Sequence, residues 1–218
     1  MVVTGYEVIG VMAAVLGILM LGSRNVRFQL YLFSLQIILI SAETAYFAYQ
    51  FKEPHFYVIA VTLFLQRAVL VPFFLNWIVR RIDMSNDPGM IIPAPLTMHL
   101  SILLFGLSFF VSNHLPLPQE PINSVVIASA TSGISLLFSG LVMMLTRRLA
   151  LSQIVGFIEL ESGVYLFAFN QTDGLPLLIE LAVFVDILGA VMIAGVLIFS
   201  IKKSFEHIDV TRLKDLKH

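Results

Sequence analysis

Five ionisable side chains lie near the middle of segments that are otherwise apolar enough to cross a lipid bilayer. They are Glu43, Arg67, Glu159, Glu161 and Asp186. One central charge opposes membrane insertion by roughly 2.5 to 3.5 kcal/mol, so five without partners would cost on the order of 12 to 17 kcal/mol. These groups must therefore pair, bind protons or face internal water.

The composition identifies the class of protein that holds these charges. Of the 218 residues, 58% are hydrophobic and 12% are charged, and the mean hydropathy is +0.93. These values exceed those of soluble proteins, so we expect a polytopic membrane protein in contact with lipid and without a nucleic-acid partner. The lack of cysteine excludes disulfides and thiolate-held iron–sulfur clusters, and the five His show no metal-ligand spacing. We expect no cofactor or metal in this chain, and redox chemistry only in other subunits.

Seven apolar segments, each long enough to cross a bilayer of roughly 30 Å, predict an all-α fold with seven transmembrane helices. They cover residues 3 to 22, 28 to 50, 57 to 79, 95 to 113, 122 to 146, 149 to 170 and 175 to 200. A faint similarity between residues 27 to 41 and 148 to 162 suggests two related triplets of helices. The chain then divides into a three-helix unit (1 to 94), a linking helix and loop (95 to 121), a second three-helix unit (122 to 200) and a tail (201 to 218). The first segment has no cleavage pattern, so we expect it to be retained as a helix.

The distribution of Lys and Arg predicts the orientation. Eleven of these residues fall on one side of the predicted spans, whereas the opposite side holds only Lys52. Basic residues are enriched in cytoplasmic loops, so we expect the N-terminus outside and the C-terminus in the cytoplasm, in the inner membrane of the cell.

The sixth segment contains two carboxylates with different surroundings. Glu159 and Glu161 are two residues apart, which is about 200° around a helix, so they cannot share a face. Glu161 shares its face with Tyr165, whose hydroxyl is a candidate hydrogen-bond partner one turn away. Glu159 shares its row with small residues that permit close helix contact, namely Ser152, Gly156 and Gly163.

Two further helices offer polar groups to these carboxylates. Asp186 lies on a small-residue face of the seventh segment, which we expect to turn toward the other helices. In the fifth segment Ser132, Ser135 and Ser139 follow the spacing i, i+3 and i+7. This stripe of hydroxyls predicts either a file of water molecules or hydrogen bonds between helices.

Arg67 is the only cation in the interior of a predicted span. It stays protonated at any relevant pH, so it can bias a neighbouring carboxylate but cannot hand over its proton. Pro72 follows it and frees the carbonyl of residue 68, which predicts a bend with local hydration. Gln36 and Glu43 share a stripe of the second segment, and Glu43 is a candidate partner of Arg67, in a relay or in a structural salt bridge.

Two outlying features complete the set of candidates. His99 lies near the start of the fourth segment, where it could feed protons inward or be a hydrogen-bonded interfacial side chain. The tail alternates apolar and charged residues, which predicts a short amphipathic helix or a solvated tail.

These residues favour one class of function over two others. Buried carboxylates, one fixed cation and no substrate-sized polar cluster favour a proton-coupling subunit without an active site of its own. A retinal protein would need a Lys in its last helix, and no span contains one. A structural membrane scaffold, in which the charges only hold helices together, is the alternative.

The ordered motifs of this chain resemble a known family. Residues 153 to 163, with the sequence Gln-Ile-Val-Gly-Phe-Ile-Glu-Leu-Glu-Ser-Gly, look like a helix of hydrogenase-4 component E, a membrane subunit of formate-hydrogenlyase-type group 4 NiFe hydrogenases. The likeness extends over most of the chain. It includes Arg27, Gln36, Val69 to Pro72, Asp186, Asp209, Val210, Leu213, Leu216 and Lys217.

The resemblance implies a place in a larger complex. Segments five to seven are similar to the K subunit of respiratory complex I and to the C subunit of Mrp-type antiporters, which carry membrane carboxylates on a hydrophilic axis. It implies antiporter-like membrane subunits, a quinone-module-like or hydrogenase membrane anchor subunit and peripheral cytoplasmic redox subunits as partners. It also implies that Glu161 and Asp186 are the family's acids. Two positions depart from the family pattern, which often has Lys at position 67 and is usually apolar at position 159.

Overall fold

The computed structural model describes residues 3–52, 54–82, 91–115 and 123–171. This part of the chain is helical and contains no β-strand. The helices are α1 (Val3–Gly22), α2 (Val26–Phe51), α3 (His55–Leu63), a π-helical segment (Phe64–Leu70), α4 (Val71–Ile82), α5 (Ala94–His114), α6 (Asn123–Thr146) and α7 (Ala150–Gln171).

The described helices follow the first six predicted segments, because α3, the π-helical segment and α4 form one continuous helix. Five of these helices are long and apolar enough to cross a membrane, and the apolar part of α1, Val8–Gly22, is somewhat shorter. The prediction of an all-α membrane protein therefore agrees with the described residues. The seventh predicted segment, with Asp186, and the tail lie outside them.

Local sequence signals set the ends of α2. The Asn25 side chain accepts hydrogen bonds from the backbone N–H groups of Arg27, at 2.9 Å, and Phe28, at 3.2 Å, which makes it the N-cap. At the other end Lys52 adopts a left-handed backbone conformation, with φ of 55°, and stops the helix. A tight turn of this kind brings α3 back antiparallel beside α2.

Glycines bring α6 and α7 into close backbone contact. A side-chain Cβ on Gly140 would lie 2.5 Å from the backbone oxygen of Gly156 and 2.5 Å from the backbone nitrogen of Leu160. A Cβ on Gly163 would lie 2.5 Å from the backbone nitrogen of Leu137. The predicted small-residue row of the sixth segment therefore permits close helix packing. The partner helix α6 contributes glycines too, with Gly140 opposite Gly156 and Gly133 opposite Gly163.

A π-helical segment lies at the position where the sequence predicts a bend near Pro72, and the bend itself stays a prediction. The backbone N–H of Val71 donates to the carbonyl of Gln66, five residues earlier. In an α-helix the ring of Pro72 would clash with the carbonyl of residue 68, and widening the preceding turns relieves that clash. Arg67 lies inside this segment and is buried, with 1% of its surface exposed.

The C-terminal end of α1 is held by a second buried arginine. Arg147 Nη2 donates to the carbonyl of Leu21 at 2.6 Å, and Gln153 Nε2 donates to the carbonyl of Arg147 at 2.8 Å. A cation at the C-terminal end of a helix interacts favourably with its unpaired carbonyls. Arg147 therefore ties the turn between α6 and α7 to α1, although the sequence places it with the basic loop residues.

The α6–α7 contact generates a stability prediction. Replacing Gly140 with Ala should destabilise the protein by about 1 to 3 kcal/mol, because the new methyl group meets backbone that cannot move aside. At Gly106 on α5, by contrast, no atom lies within 4 Å of the place that a Cβ would occupy. Gly106→Ala is the matched control and should be neutral or stabilising by up to about 1 kcal/mol. Thermal melting of both purified variants in detergent checks the prediction, and equal melting temperatures would contradict it.

Candidate functional site

The candidate site is built around α7, which presents acids on two different faces. Glu159 and Glu161 are both buried, with 0% and 7% of their surfaces exposed. Glu159 faces α6 and α1, whereas Glu161 faces the π-helical segment. The prediction that the two carboxylates have separate partners agrees with this arrangement.

Arg67 and Glu161 form a buried ion pair. Arg67 Nη2 lies 3.5 Å from Glu161 Oε2. Arg67 Nη1 donates to Ser162 Oγ at 3.3 Å, and Ser162 donates its own hydrogen to the carbonyl of Ile158 at 2.8 Å. The guanidinium therefore contacts two consecutive side chains of α7, which fixes the π-helical segment against that helix.

A hydroxyl pair lies one turn beyond this ion pair. Thr44 Oγ1 donates to the carbonyl of Ile40 at 3.0 Å and lies 3.1 Å from the Tyr165 hydroxyl. The contact joins two hydroxyl groups, each of which can donate or accept a hydrogen bond. The suggested bond between Tyr165 and Glu161 stays a prediction.

Aromatic rings pack beside the hydroxyl pair at the ends of α2, α3 and α7. Phe47 makes edge contacts with Phe56 and Phe169, with ring centroids 5.1 and 5.0 Å apart, and Tyr165 stacks on Phe169 at 5.6 Å. The pairs are within the range of favourable aromatic geometry. The ion pair is thus followed along α7 by a hydroxyl pair and then by an apolar cluster.

Glu159 has different surroundings, because it contacts α1 and α6. Ser139 Oγ donates to Glu159 Oε1 at 2.6 Å, and Glu159 Oε2 has no hydrogen-bond partner among the described residues. The Glu159 Oε1 atom occupies the space where a side chain of Gly17 would begin, closer than van der Waals contact would allow. Glycine at position 17 therefore makes room for this carboxyl group.

Glu43 and Gln36 extend the polar groups along α2. Glu43 is 1% exposed, and its Oε2 lies 3.9 Å from the position of a Cβ on Gly10 of α1. Gln36 is fully buried and its Nε2 donates to the carbonyl of Ala13 at 3.2 Å. The structure adds Glu161 to the surroundings of Arg67, while a pairing of Glu43 with Arg67 stays a prediction.

The predicted serine stripe of α6 lies on its buried side. Ser132, Ser135 and Ser139 are at most 3% exposed. Ser132 donates to the carbonyl of Ala128 at 2.9 Å and lies against Gly10, whereas Ser139 contacts Glu159. The hydrogen bond between helices, one of the two predicted uses of this stripe, is therefore present at Ser139.

Two predicted residues lie apart from this buried set. His99 is exposed on α5, and its Nδ1 lies 2.6 Å from the carbonyl of Pro95 in the same helix. It is therefore an exposed side chain that bonds to its own helix, and its predicted place at the membrane interface stays a prediction. Asp186 lies outside the described residues. Among the described residues, no group of three or more His, Cys, Asp or Glu side chains could hold a metal ion.

Sequence reasoning missed several residues that the structure brings into the site, namely Gly10, Gly17, Thr44 and Ser162. It also missed the burial of Arg147 at the end of α1. Gly10 and Gly17 are seven residues apart, which places them on one face of α1 and was a readable signal for close packing. Nothing in the sequence distinguishes the buried Arg147 from its exposed neighbour Arg148.

The ion pair generates a second prediction. Arg67→Met should destabilise the protein by about 3 to 5 kcal/mol, because it leaves the Glu161 carboxylate without its cation. The double variant Arg67→Met with Glu161→Met should recover most of this loss, since it removes both charges of the pair and leaves neither without its partner. Arg80→Met, at an exposed position of α4, is the matched control and should change stability little. Thermal melting of the unmodified protein and these three variants checks the prediction, and a double variant no more stable than Arg67→Met would contradict it.

Comparisons with known proteins identify one relative and no family. The chain is 32% identical over 122 residues to the uncharacterized protein Rv0085 of Mycobacterium tuberculosis, and the match covers 56% of this chain and 52% of the relative. The chain thus matches about half the length of that protein. No family model matches the chain, and no solved structure matches it.

Proposed function

We propose that the chain is a membrane subunit of a complex I-related respiratory complex or a group 4 hydrogenase, similar to hydrogenase-4 component E. In this role it contributes buried carboxylates to a path for H⁺ or Na⁺ that is coupled to redox chemistry in other subunits. The chain itself is then not an enzyme and carries no cofactor. The relay groups are Glu161 and Asp186, with Glu159, Glu43 and Arg67 beside them.

The buried pair of Arg67 and Glu161 is the observation that carries this proposal. A carboxylate beside a fixed cation keeps its charge, whereas the same carboxylate withdrawn from the cation in low dielectric takes up a proton. The guanidinium is held on a π-helical segment, and such segments occur frequently at functional sites. A small movement of this segment would therefore change the affinity of Glu161 for a proton.

The topology that goes with this function has seven spans, an outside N-terminus and a cytoplasmic C-terminus in the inner membrane. The excess of Lys and Arg on one side supports it. In this orientation the tail faces peripheral cytoplasmic redox subunits. Antiporter-like subunits and a hydrogenase or quinone-module-like anchor subunit are the proposed membrane partners.

A structural scaffold is the second candidate, and the contacts between helices favour it. Arg67 joins the π-helical segment to α7, and Ser139 joins α6 to α7. Side-chain contacts of this kind stabilise helix association in membranes without moving ions. In this case the chain would assemble antiporter-like subunits around it and leave conduction to them.

Neutral substitutions distinguish the two candidates. Glu161→Gln and Asp186→Asn keep the size of the side chains and remove the carboxylates. In vesicles that contain the assembled complex, the proposed relay predicts that each variant lowers ion uptake per electron transferred by at least about tenfold, as expected when a group essential for proton transfer is lost. The scaffold predicts unchanged uptake per electron.

Glu120→Gln is the matched control, since Glu120 lies between the fourth and fifth predicted spans. It should leave ion uptake unchanged. Mass spectrometry of proteins that copurify with the full chain tests the proposed partners. Recovery of a large subunit with paired nickel-binding Cys motifs would identify a hydrogenase, and recovery of a related subunit without them would identify a respiratory derivative.

A further inference from the structure

A second line of polar groups runs along α1, on the opposite side of α7 from the Arg67–Glu161 pair. On α1 it is bordered by Gly10, Ala13 and Gly17, which lack long side chains. Ser132 and Ser139 of α6 and Gln36 of α2 contact these positions, and the buried Ser135 lies between the two serines in the α6 sequence. We call this set of seven residues the α1 seam.

The seam has a carboxyl group at each end. Glu43 lies beside Gly10 and Ser132, and Glu159 lies beside Gly17 and Ser139. Gly10 and Gly17 are seven residues apart, which corresponds to about 10 Å along a helix. The two acids thus contact α1 at points about 10 Å apart, and α6 presents Ser132 at one point and Ser139 at the other.

Two buried polar atoms, on side chains that contact the seam, lack hydrogen-bond partners among the described residues. They are Glu159 Oε2 and Gln36 Oε1, on side chains with 0% exposure. Gln36 is held midway along the seam, because its Nε2 binds the carbonyl of Ala13. An unsatisfied buried polar atom costs about 1 to 3 kcal/mol, so both atoms favour a hydrogen-bonding occupant.

The geometry at Ser139 suits a carboxyl group that gains and loses a proton. Ser139 Oγ lies 2.6 Å from Glu159 Oε1 and 3.1 Å from the carbonyl of Leu136, and it has one hydrogen for these two acceptors. When Glu159 is ionised, Ser139 donates to the carboxylate. When Glu159 binds a proton, the carboxylic acid donates to Ser139 Oγ. Ser139 then donates its own hydrogen to the carbonyl of Leu136.

We propose that the α1 seam is a proton path whose proton-binding terminus, Glu159, lies on the opposite face of α7 from Glu161. It deepens the proposed function, on which it rests for the use made of the proton. Protons pass between Glu43 and Glu159 through water and the hydroxyls of Ser132, Ser135 and Ser139. Ser132 donates its hydrogen to a carbonyl of its own helix, that of Ala128. Its hydroxyl can therefore change hydrogen-bond acceptor by rotating, as that of Ser139 can.

The groups that face Glu159 from the described helices are uncharged. Ser139 and Leu136 belong to α6, and Gly17 belongs to α1. Arg67, which contacts Glu161 and Ser162, lies on the other side of α7. The binding of a proton to Glu159 therefore needs no movement of the ion pair.

Infrared spectroscopy of the full-length protein in detergent tests this proposal without the rest of the complex. A protonated carboxyl group has a distinct C=O band, which shifts when heavy water exchanges its hydrogen. The band lost in Glu159→Gln belongs to Glu159, and its shift after rapid mixing with heavy water gives the rate of exchange at that residue. We expect such a band in the unmodified protein.

Variants within the seam should slow this exchange. Gln36→Leu and Ser132→Ala should each lower the rate by at least about tenfold, the effect expected when a hydrogen-bonded step is lost. Ser108→Ala is the matched control, because Ser108 is a buried serine of α5 that also bonds a carbonyl of its own helix, at 2.8 Å. Ser132→Ala removes one oxygen atom and carries the test if Gln36→Leu does not fold.

The outcomes separate this proposal from the proposed function. Any of three results would overturn the proposed proton path. They are the absence of a band specific to Glu159, an unchanged exchange rate in the seam variants, and an equal slowing in Ser108→Ala. Glu161→Gln should leave the exchange rate at Glu159 unchanged. A seam confirmed by exchange would stand even if Glu161→Gln left ion uptake in the assembled complex intact, a result that would overturn only the relay at Glu161.

Discussion

The cost of placing a charge inside an apolar bundle is the constraint on which this structure depends. Arg67 cannot lose its proton, so it must have an acceptor within reach, and α7 supplies Glu161 and Ser162. That requirement sets the rotation of α7 relative to the π-helical segment. Once this rotation is set, Glu159 necessarily faces the other way, because two residues along a helix correspond to about 200°.

The glycines of α6 and α7 make this arrangement possible. Gly140 and Gly163 let the two backbones approach so closely that neither position has space for a methyl group. In an apolar solvent there is no hydrophobic force to bring helices together, so close packing and polar contacts must do so. The glycine contact therefore stabilises α7 between α6 on one side and the π-helical segment on the other, with an acid directed to each.

The sequence predicted the helices well and the partners of the charges less well. Helix bounds follow from apolar length, and the separation of Glu159 from Glu161 follows from the helical repeat alone. The partner of Arg67 does not follow from the sequence pattern. It depends on how the helices are rotated relative to each other and on the wide π-helical turns before Pro72. Arg147 is the clearest example of this limit, since its burial depends on the end of α1, where Leu21 lies 126 residues away from it in the sequence.

That separation has a consequence for how the protein is made. Leu21 and the face of α1 that carries Gly10 and Gly17 enter the membrane long before Arg147 and the serines of α6 are synthesised. Because chains are made at about 5 to 20 residues per second, α1 is synthesised several seconds before Arg147, which binds the carbonyl of Leu21 at its C-terminal end. The face of α1 with Gly10, Ala13 and Gly17 has no polar side chain, so it can contact lipid during the time before α6 is inserted.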